Sequence, residues 1–480
     1  MALNYSDMIS NLPPEWKEDI LPSIRADAIS SGKTVIVLDD DPTGTQTVSD
    51  VPILAGWSVD EIAEEFLENT PLVFVLTNSR SMPVNDTERL AEVIGANICA
   101  ASERTGRAYT VISRSDSTLR GHFPGEVDAL ADATGMTEAA RVIAPFFLEG
   151  GRYTIDDIHY VREGENMIPA AETPFAGDRV FGYESSHLPG WVAEKTSGKI
   201  SAASVLSVTI EDIRLGGPEK VLGKLLSNAH APAIIINAAS YRDMEVAVRA
   251  LIDAEKHGLK YLYRTAASFV RVMAGLHARP VMKGYELGMP PQGGGLTVVG
   301  SYVPKSGSQL EHLIRNTGIV HKELSVPRLL AVDSDSEIER VISIAAQALS
   351  NGKDIAIYTS RDLARGHDTE SSLAIGNRVS AALVRIVRAV APNARYIIAK
   401  GGITSSDIAT DALGMKRAMV LGQILPGVPV WRLGEESLAP GVPYIVFPGN
   451  VGGVDALTTV VKELVTVTLT NRTLPEGEPP

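Results

Sequence analysis

Cysteine is nearly missing from this chain of 480 residues: Cys99 is the single one. That count excludes an internal disulfide framework and a Cys-based zinc site. Cys99 falls in the helical apolar stretch IGANICAASE, where a buried structural thiol is expected. No run of about 18 uninterrupted apolar residues is present, so no membrane span is expected. Basic residues are in deficit, with 44 Lys and Arg against 58 Asp and Glu and a formal net charge of −14. This argues against a general nucleic-acid surface, which needs clustered Lys and Arg, but leaves room for a local Arg pocket that binds a small anion. The N-terminus, MALNYSDMISNLPPEWKEDI, carries early acids and no basic-then-apolar signal pattern, so the expected location is cytoplasmic. Standard fingerprints are also lacking. No GxGxxG follows a strand and no HExxH occurs. Gly32-Lys33-Thr34 looks like the end of a Walker A loop, but Asp27 stands where the first glycine should be, and the segment precedes a strand instead of following one.

What is present is ordinary globular material, 44% apolar and 21% charged. The length exceeds what one hydrophobic core usually supports, so two domains are expected. Short β-branched runs recur at 34–38, 72–76, 109–112, 141–145, 233–237 and 261–264, with helical spacing between them, as at 86–104 and 243–257. Strands apolar on both faces, alternating with helices, predict an α/β fold with a mostly parallel sheet flanked by helices. GYELGMPPQGGG interrupts this pattern and reads as an interdomain hinge. Alternation then restarts with strands at 296–300, 354–358, 396–400 and 444–448. The expected division is an N-terminal extension at 1–32, a first domain at 33–287, a linker at 288–296, a second domain at 297–470 and a tail at 471–480. A cleft is expected between the domains.

Ligands in such sheets bind beyond the carboxyl ends of the strands, so the residues following each strand carry the chemistry. In the first half these are Asp39-Asp40-Asp41, Thr77 to Arg80, Ser113 to Asp116, Asn237 with Ser240, and Arg264-Thr265 with Ser268. Three adjacent carboxylates repel one another unless a cation or ligand compensates them. The bland alternative is a solvated acidic turn; the functional one has one Asp accepting a proton from an attacking hydroxyl while another holds sugar hydroxyls. In SRSDSTLRGHFPGE, Arg114 and Arg120 could grip a carboxylate, and Asp116 between them could bind a hydroxyl or neutralise an Arg. A structural salt-bridge network is the competing reading, and His122 is as readily a satisfied histidine as a catalytic one. In the second half, GSYVPKSGS (300–308), GGITSSD (401–407) and PGNVGGVDAL (448–457) each follow a strand with glycines. Thr404 or Ser405 can cap the helix that follows. One such turn is often only steric, but three in one sheet suggest a nucleotide bound by its phosphates.

With these motifs on the page, the chain resembles the four-carbon acid sugar kinases over roughly residues 33–465. Asp40-Asp41-Pro42-Thr43-Gly44 resembles the family's DDxTG, and Asp116 to Gly121 its DSTLRG. Arg264-Thr265 with Ser268, Gly300-Ser301, Gly401-Gly402-Ile403-Thr404 and Pro448 to Gly452 follow in order. The resemblance implies a sugar-acid-binding domain followed by a nucleotide-binding domain, ATP and Mg²⁺ as cofactors, and phosphorylation of an acid such as threonate, erythronate or 3-oxo-tetronate. By position, Asp41 and Asp40 are the candidate catalytic residues, with the choice of base among residues 39–41 left open. Asp39, Arg80, Arg114, Asp116, Arg120 and Arg264 are the candidate acid-binding residues. Ser301, Gly401, Gly402, Ile403, Thr404, Gly449, Asn450 and Gly452 are the candidate nucleotide contacts, and no metal ligands are assigned. Phe447-Pro448 departs from the family's usual Lys-Ser, Arg114-Ser115 replaces a strand-end lysine, and Asp39 and the N-terminal extension are additions. The implied picture has the two domains closing around ATP and the acid, with a homodimer left open. The rival readings are an NAD-dependent dehydrogenase or isomerase on a similar scaffold, and a non-catalytic acid or nucleotide sensor.

Overall fold

The computed structural model describes residues 3–331, 334–361 and 369–472. The chain divides into two compact units, Met1–Thr47 with Gly56–Ala278, and Val48–Ala55 with Arg279–Pro480. No helix among the described residues is long and apolar enough to cross a membrane.

The first unit holds seven parallel strands: β1 (Thr34–Asp39), β2 (Leu72–Leu76), β3 (Tyr109–Arg114), β4 (Ala140–Ala144), β5 (Leu206–Val208), β6 (Ala233–Ile236) and β7 (Tyr261–Thr265). Their spatial order is β5-β6-β4-β7-β3-β1-β2, every pairing parallel. The β-branched composition follows from this placement, because β1 and β2 are buried along their whole length. Long helices cross between strands, among them α1 (Val84–Thr105) and α2 (Tyr241–Lys256). Ser240 caps α2 by accepting the Asp243 N–H, so this strand-end serine is structural. Asn237 is likewise occupied, bonded to Asp157 and the Val208 carbonyl. Cys99 is half-buried against the Tyr109 hydroxyl at 3.2 Å.

Two features depart from the expected layout of this half. Residues 21–30 form a helix tied into the unit, since Asp27 pairs with Arg249 at 2.5 Å and Lys256 at 2.6 Å. The N-terminal extension is therefore part of this unit. Between β4 and β5 an antiparallel meander is inserted, Arg152–Ile155, Ile158–Glu163 and Asn166–Pro169, with Leu3–Asn4 added at its edge.

The second unit contains β8 (Gly294–Val299), β9 (Val320–Leu324), β10 (Ile355–Thr359), β11 (Ala394–Lys400), β12 (Arg417–Leu425), β13 (Val428–Leu433) and β14 (Pro443–Phe447). Strands β14-β11-β8-β10-β9 are parallel neighbours; β12 and β13 form an antiparallel hairpin beside β14. Val51–Leu54 pairs antiparallel with β12, which is why this short segment groups with the second unit. The core under the sheet includes Val299, Ile398, Val430, Ile445, Phe447, Leu457 and Val461. Helices α3 (Pro304–Asn316), α4 (Gly402–Asp407) and α5 (Ala456–Arg472) follow β8, β11 and β14. Because α5 continues to Arg472, the expected tail begins later than residue 471, and 473–480 lie outside the described residues.

The glycine run expected to be a hinge is largely a strand. Gly294 and Gly295 open β8, where a Cβ on Gly294 would sit 2.0 Å from the Lys353 carbonyl oxygen and one on Gly295 1.9 Å from the Tyr396 ring. Glycine is used here for close packing instead of mobility. Gly295→Ala is therefore expected to destabilise the protein by about 1–3 kcal/mol, read from urea midpoints; a hinge glycine would leave the midpoint in place.

Candidate functional site

In the first unit, strand register brings the acidic and basic strand ends together. Asp39 pairs with Arg114 across β1 and β3, and Arg114 with Thr265 across β3 and β7. Arg114 Nη1 donates to Asp39 Oδ1 at 3.1 Å and lies 3.7 Å from Asp40 Oδ1. Arg80, just past β2, grips Asp40 with two nitrogens, Nη2 at 2.5 Å and Nε at 3.1 Å, and reaches Asp41 Oδ2 at 3.4 Å. Ser115 Oγ also donates to Asp40 Oδ2 at 2.8 Å. The three carboxylates are thus compensated by two guanidiniums from neighbouring strand ends, and neither Arg80 nor Arg114 is free of an acid. Gly44 makes this packing possible, since a Cβ there would lie 2.0 Å from Asp39 Oδ2.

The aspartates differ in environment. Asp39 and Asp40 are fully buried, whereas the Asp41 side chain is 20% exposed. Burial, helped by the charges of Asp40 and Asp41, outweighs Arg114 and pushes Asp39 up to about 7. Burial acts the same way on Asp41, but Arg80 and the N–H and hydroxyl of Thr43 overcome it and hold the carboxyl below its usual range.

The DSTLRG segment forms a compact loop over this edge. Asp116 accepts from the Thr118 hydroxyl and from Arg120 Nε at 2.7 Å. Burial opposes ionisation of Asp116, yet Arg80 and Arg120 prevail and keep it well below the usual carboxylate range. The loop is fastened to the meander and the chain beyond it, through His159 Nε2 on the Ser117 carbonyl at 2.7 Å and the Tyr183 hydroxyl on the Thr118 carbonyl at 2.8 Å. Arg264 donates to the Arg120 carbonyl at 2.9 Å and lies under Trp191 and Phe123. His122 is a satisfied histidine, with Nε2 3.1 Å from the Ser79 carbonyl and its ring edge-on to Phe181.

Several buried polar atoms around these strand ends have no hydrogen-bond partner among the described residues: Asp39 Oδ2, Arg114 Nε, Arg264 Nη1, Thr265 Oγ1 and, on the meander, Arg152 Nε. Buried polar groups are normally paired, so a cluster of orphans marks where a polar ligand would complete the network. The sequence reading missed Glu126, which is buried beside Ser79 and Ser113; burial and then the charge of Asp40 push it up to about 7. It also missed Arg152.

The second unit builds a different surface on three adjacent parallel strands. Ser301 N–H donates to the Lys400 carbonyl at 3.3 Å, and Gly401 N–H to the Phe447 carbonyl at 2.9 Å, lacing the ends of β8, β11 and β14 together. Ser306 Oγ, in the first turn of α3, lies 3.1 Å from Ser301 Oγ and 3.3 Å from the Gly449 carbonyl, within hydrogen-bond reach of both. Glycine is demanded sterically: a Cβ on Gly300 would meet Thr404 Oγ1 at 2.2 Å, and Gly401 has φ +115°. Ser301, Gly401, Gly402, Thr404, Gly449 and Asn450 are thereby brought to one edge. Ile403 differs, its side chain being 61% exposed. Gly452, at φ +81°, turns the chain beneath Gln309, whose Nε2 holds the neighbouring Val451 and Gly453 carbonyls. Neither Thr404 nor Ser405 caps α4. Gly401 occupies that position, and Ser405 Oγ donates back to the Ala399 carbonyl.

Beneath these loops is Lys400, fully buried at the end of β11. Its Nζ donates to the Pro448 carbonyl at 3.1 Å and stands 4.1 Å from the Phe447 ring centroid, with no carboxylate paired to it among the described residues. Burial, and then the charge of Lys305, push its pKa down to about 7. The signal was legible, since Lys400 ends a strand directly before GGIT.

Two family models match the chain. The sugar-binding N-terminal domain covers residues 35–273 and the nucleotide-binding C-terminal domain covers residues 296–457. The chain belongs to the four-carbon acid sugar kinase family. Among curated members it is 26% identical over 468 residues to a D-erythronate kinase of Heliobacterium modesticaldum, covering 92% of this chain and 99% of that protein. It is 26% identical to a D-threonate kinase of Cupriavidus necator, covering 75% and 80%, and 26% identical to a 3-oxo-tetronate kinase of Methylobacterium radiotolerans, covering 87% and 96%. Solved structures share the fold: a Haemophilus influenzae protein at TM-score 0.62 and 17% identity, covering 89% of this chain and 99% of that one, and a Salmonella typhimurium protein at TM-score 0.67 and 18% identity, covering 88% and 98%. In this family member the Asp/Arg strand edge falls inside the sugar-binding match and the glycine loops inside the nucleotide-binding match.

Glu126 yields a pH test of the Asp/Arg strand edge. Its folded pKa is raised from 4.5 to about 7, so the folded state keeps a proton that the unfolded chain has released. Its stabilising contribution is present in full below pH 4.5 and is lost as pH rises through about 7. Glu126→Gln, which keeps the serine contacts, is expected to flatten that decline when urea midpoints are compared between pH 4.5 and 8.

Proposed function

We propose that this chain is an ATP-dependent kinase that transfers the γ-phosphoryl group to a hydroxyl of a four-carbon sugar acid. The observation that carries the reading is the presence in one chain of a hydroxyl- and acid-reading strand edge and a glycine-loop edge over an uncompensated buried lysine, each within its own family match. The names of the curated relatives support the same chemistry.

Of the three aspartates, Asp41 is the one with an open face, and we assign it the acceptor hydroxyl. Its depressed pKa keeps it ionised across the physiological range, so the accepting form is always present. Phosphoryl transfer through a loose transition state asks chiefly for orientation and charge compensation, and a fixed carboxylate supplies orientation. Asp40, bonded by both Arg80 and Ser115, holds the edge rigid. Backbone N–H groups at 402–404 and 449–452 and the hydroxyl of Ser301 would take the nucleotide phosphates, with Lys400 beneath them. Among the described residues no group of three or more His, Cys, Asp or Glu side chains could hold a metal ion. Mg²⁺ would be carried on the ATP phosphates, where it would neutralise developing charge.

Two measurements test the assignment. In an ATP-consumption screen over four-carbon acids and their oxo forms, at least one acid should stimulate turnover, and Asp41→Asn should lower kcat about 10²–10⁴-fold in the folded variant. Failure of every acid to stimulate turnover sinks the kinase reading. Separately, Lys400→Met should raise the ATP Kd about tenfold or more while leaving affinity for the acid unchanged, as measured by calorimetry.

A further inference from the structure

The meander inserted after β4 carries a charge that the motifs do not account for. Arg152 opens its first strand and is fixed there by two backbone bonds with Phe147, at 2.9 and 3.1 Å, and by its pairing with Val161. Its guanidinium is largely buried, and it has no ion-pair partner among the described residues. Nη1 donates to the Gly150 carbonyl, and Nε has no hydrogen-bond partner among those residues. Its carbon stands 5.6 Å from the centroid of Phe175, and that of Arg120 stands 5.1 Å from the same ring. Two guanidiniums therefore share one aromatic side chain. Arg120 is compensated by Asp116 at 2.7 Å and Asp178 at 3.7 Å. Arg152 is not. Burial depresses its proton affinity; the charge of Asp116 is the largest influence against this, followed by repulsion from Arg120, which adds to the depression, and attraction from Glu163.

A buried guanidinium without a counter-ion is costly unless an anion completes it. Arg264 also lacks a carboxylate, but it is 1% exposed and covered by Phe123 and Trp191, so it serves the loop. Arg80 and Arg114 are spent on the aspartates. We propose that Arg152, beside Arg120, receives the carboxylate of the sugar acid and is the residue that selects acids over neutral polyols. Planar, bidentate donation suits a carboxylate, and the Phe175 ring would keep both guanidiniums oriented for it. This rests on the sugar-acid reading of the first unit and adds to it the anchor for the acid group.

The test uses the full chain and four-carbon aldonates as probes. Arg152→Met should raise Kd and KM for the aldonate about 10- to 100-fold, with kcat and the KM for ATP little changed. Arg152→Lys should recover part of that loss, since it restores charge without the fork. Affinity for the corresponding uncharged tetritol should stay within about twofold in every variant. A thermal-shift scan and the tetritol control distinguish misfolding from a lost carboxylate contact, and Arg152→Lys carries the test if the Met variant is unstable. Unchanged aldonate affinity in both variants overturns the proposal, as does an equal loss for aldonate and tetritol. Aldonate binding that needs Arg152 but supports no turnover would uphold this anchor and overturn the kinase reading; no aldonate binding in the wild type would overturn both.

Discussion

Everything at the Asp/Arg strand edge depends on how three consecutive aspartates are kept together at the end of one strand. Asp39, Asp40 and Asp41 would repel one another at such spacing, and two of them are removed from water. The fold answers with Arg114 from the next strand on one side and Arg80 from the turn after the strand on the other. Removing one partner of such a buried arrangement leaves an uncompensated charge, which is far more costly than the pair is stabilising. Hence the close fit of Gly44 against Asp39 and of Gly121 against Ser115, where a Cβ would sit 2.4 Å from the hydroxyl.

This lattice redistributes roles among residues that look alike in the sequence. Arginines that seemed free to hold a substrate are occupied by acids, and the carboxylates separate into one raised by burial, one bonded by both Arg80 and Ser115 and one left partly open. Unoccupied capacity is displaced outward, to the orphaned atoms at the strand ends and to Arg152 on the meander. The site is therefore a neutralised floor with a cationic wall, which suits an acid bearing hydroxyls.

The second unit solves the opposite problem. Its loops carry few charges and offer backbone donors instead, and glycine is required where Gly300 approaches Thr404 too closely for a side chain and where Gly401 holds φ +115°. Lys400 is the exception, a buried cation whose pKa is lowered by its surroundings and which an anion above it would restore.

The sequence by itself determined the α/β class, most of the parallel strands of both halves and the strand ends at which chemistry gathers, because parallel strands buried on both faces must be apolar and their ends must not be; the antiparallel strands, β12 and β13 among them, were not legible in this way. Order along the chain also placed DDPTG, DSTLRG and GGIT correctly beyond their strands. Tertiary structure alone decided which charge meets which. Arg80 and Asp40 are forty positions apart, and only the parallel register of neighbouring strands makes them partners. It also decided that Gly294-Gly295 is packed strand and not hinge, that Val51–Leu54 joins the second unit, and that Arg152 is left without an acid. Pairing, burial and leftover charge are properties of the assembled surface, and no local pattern encodes them.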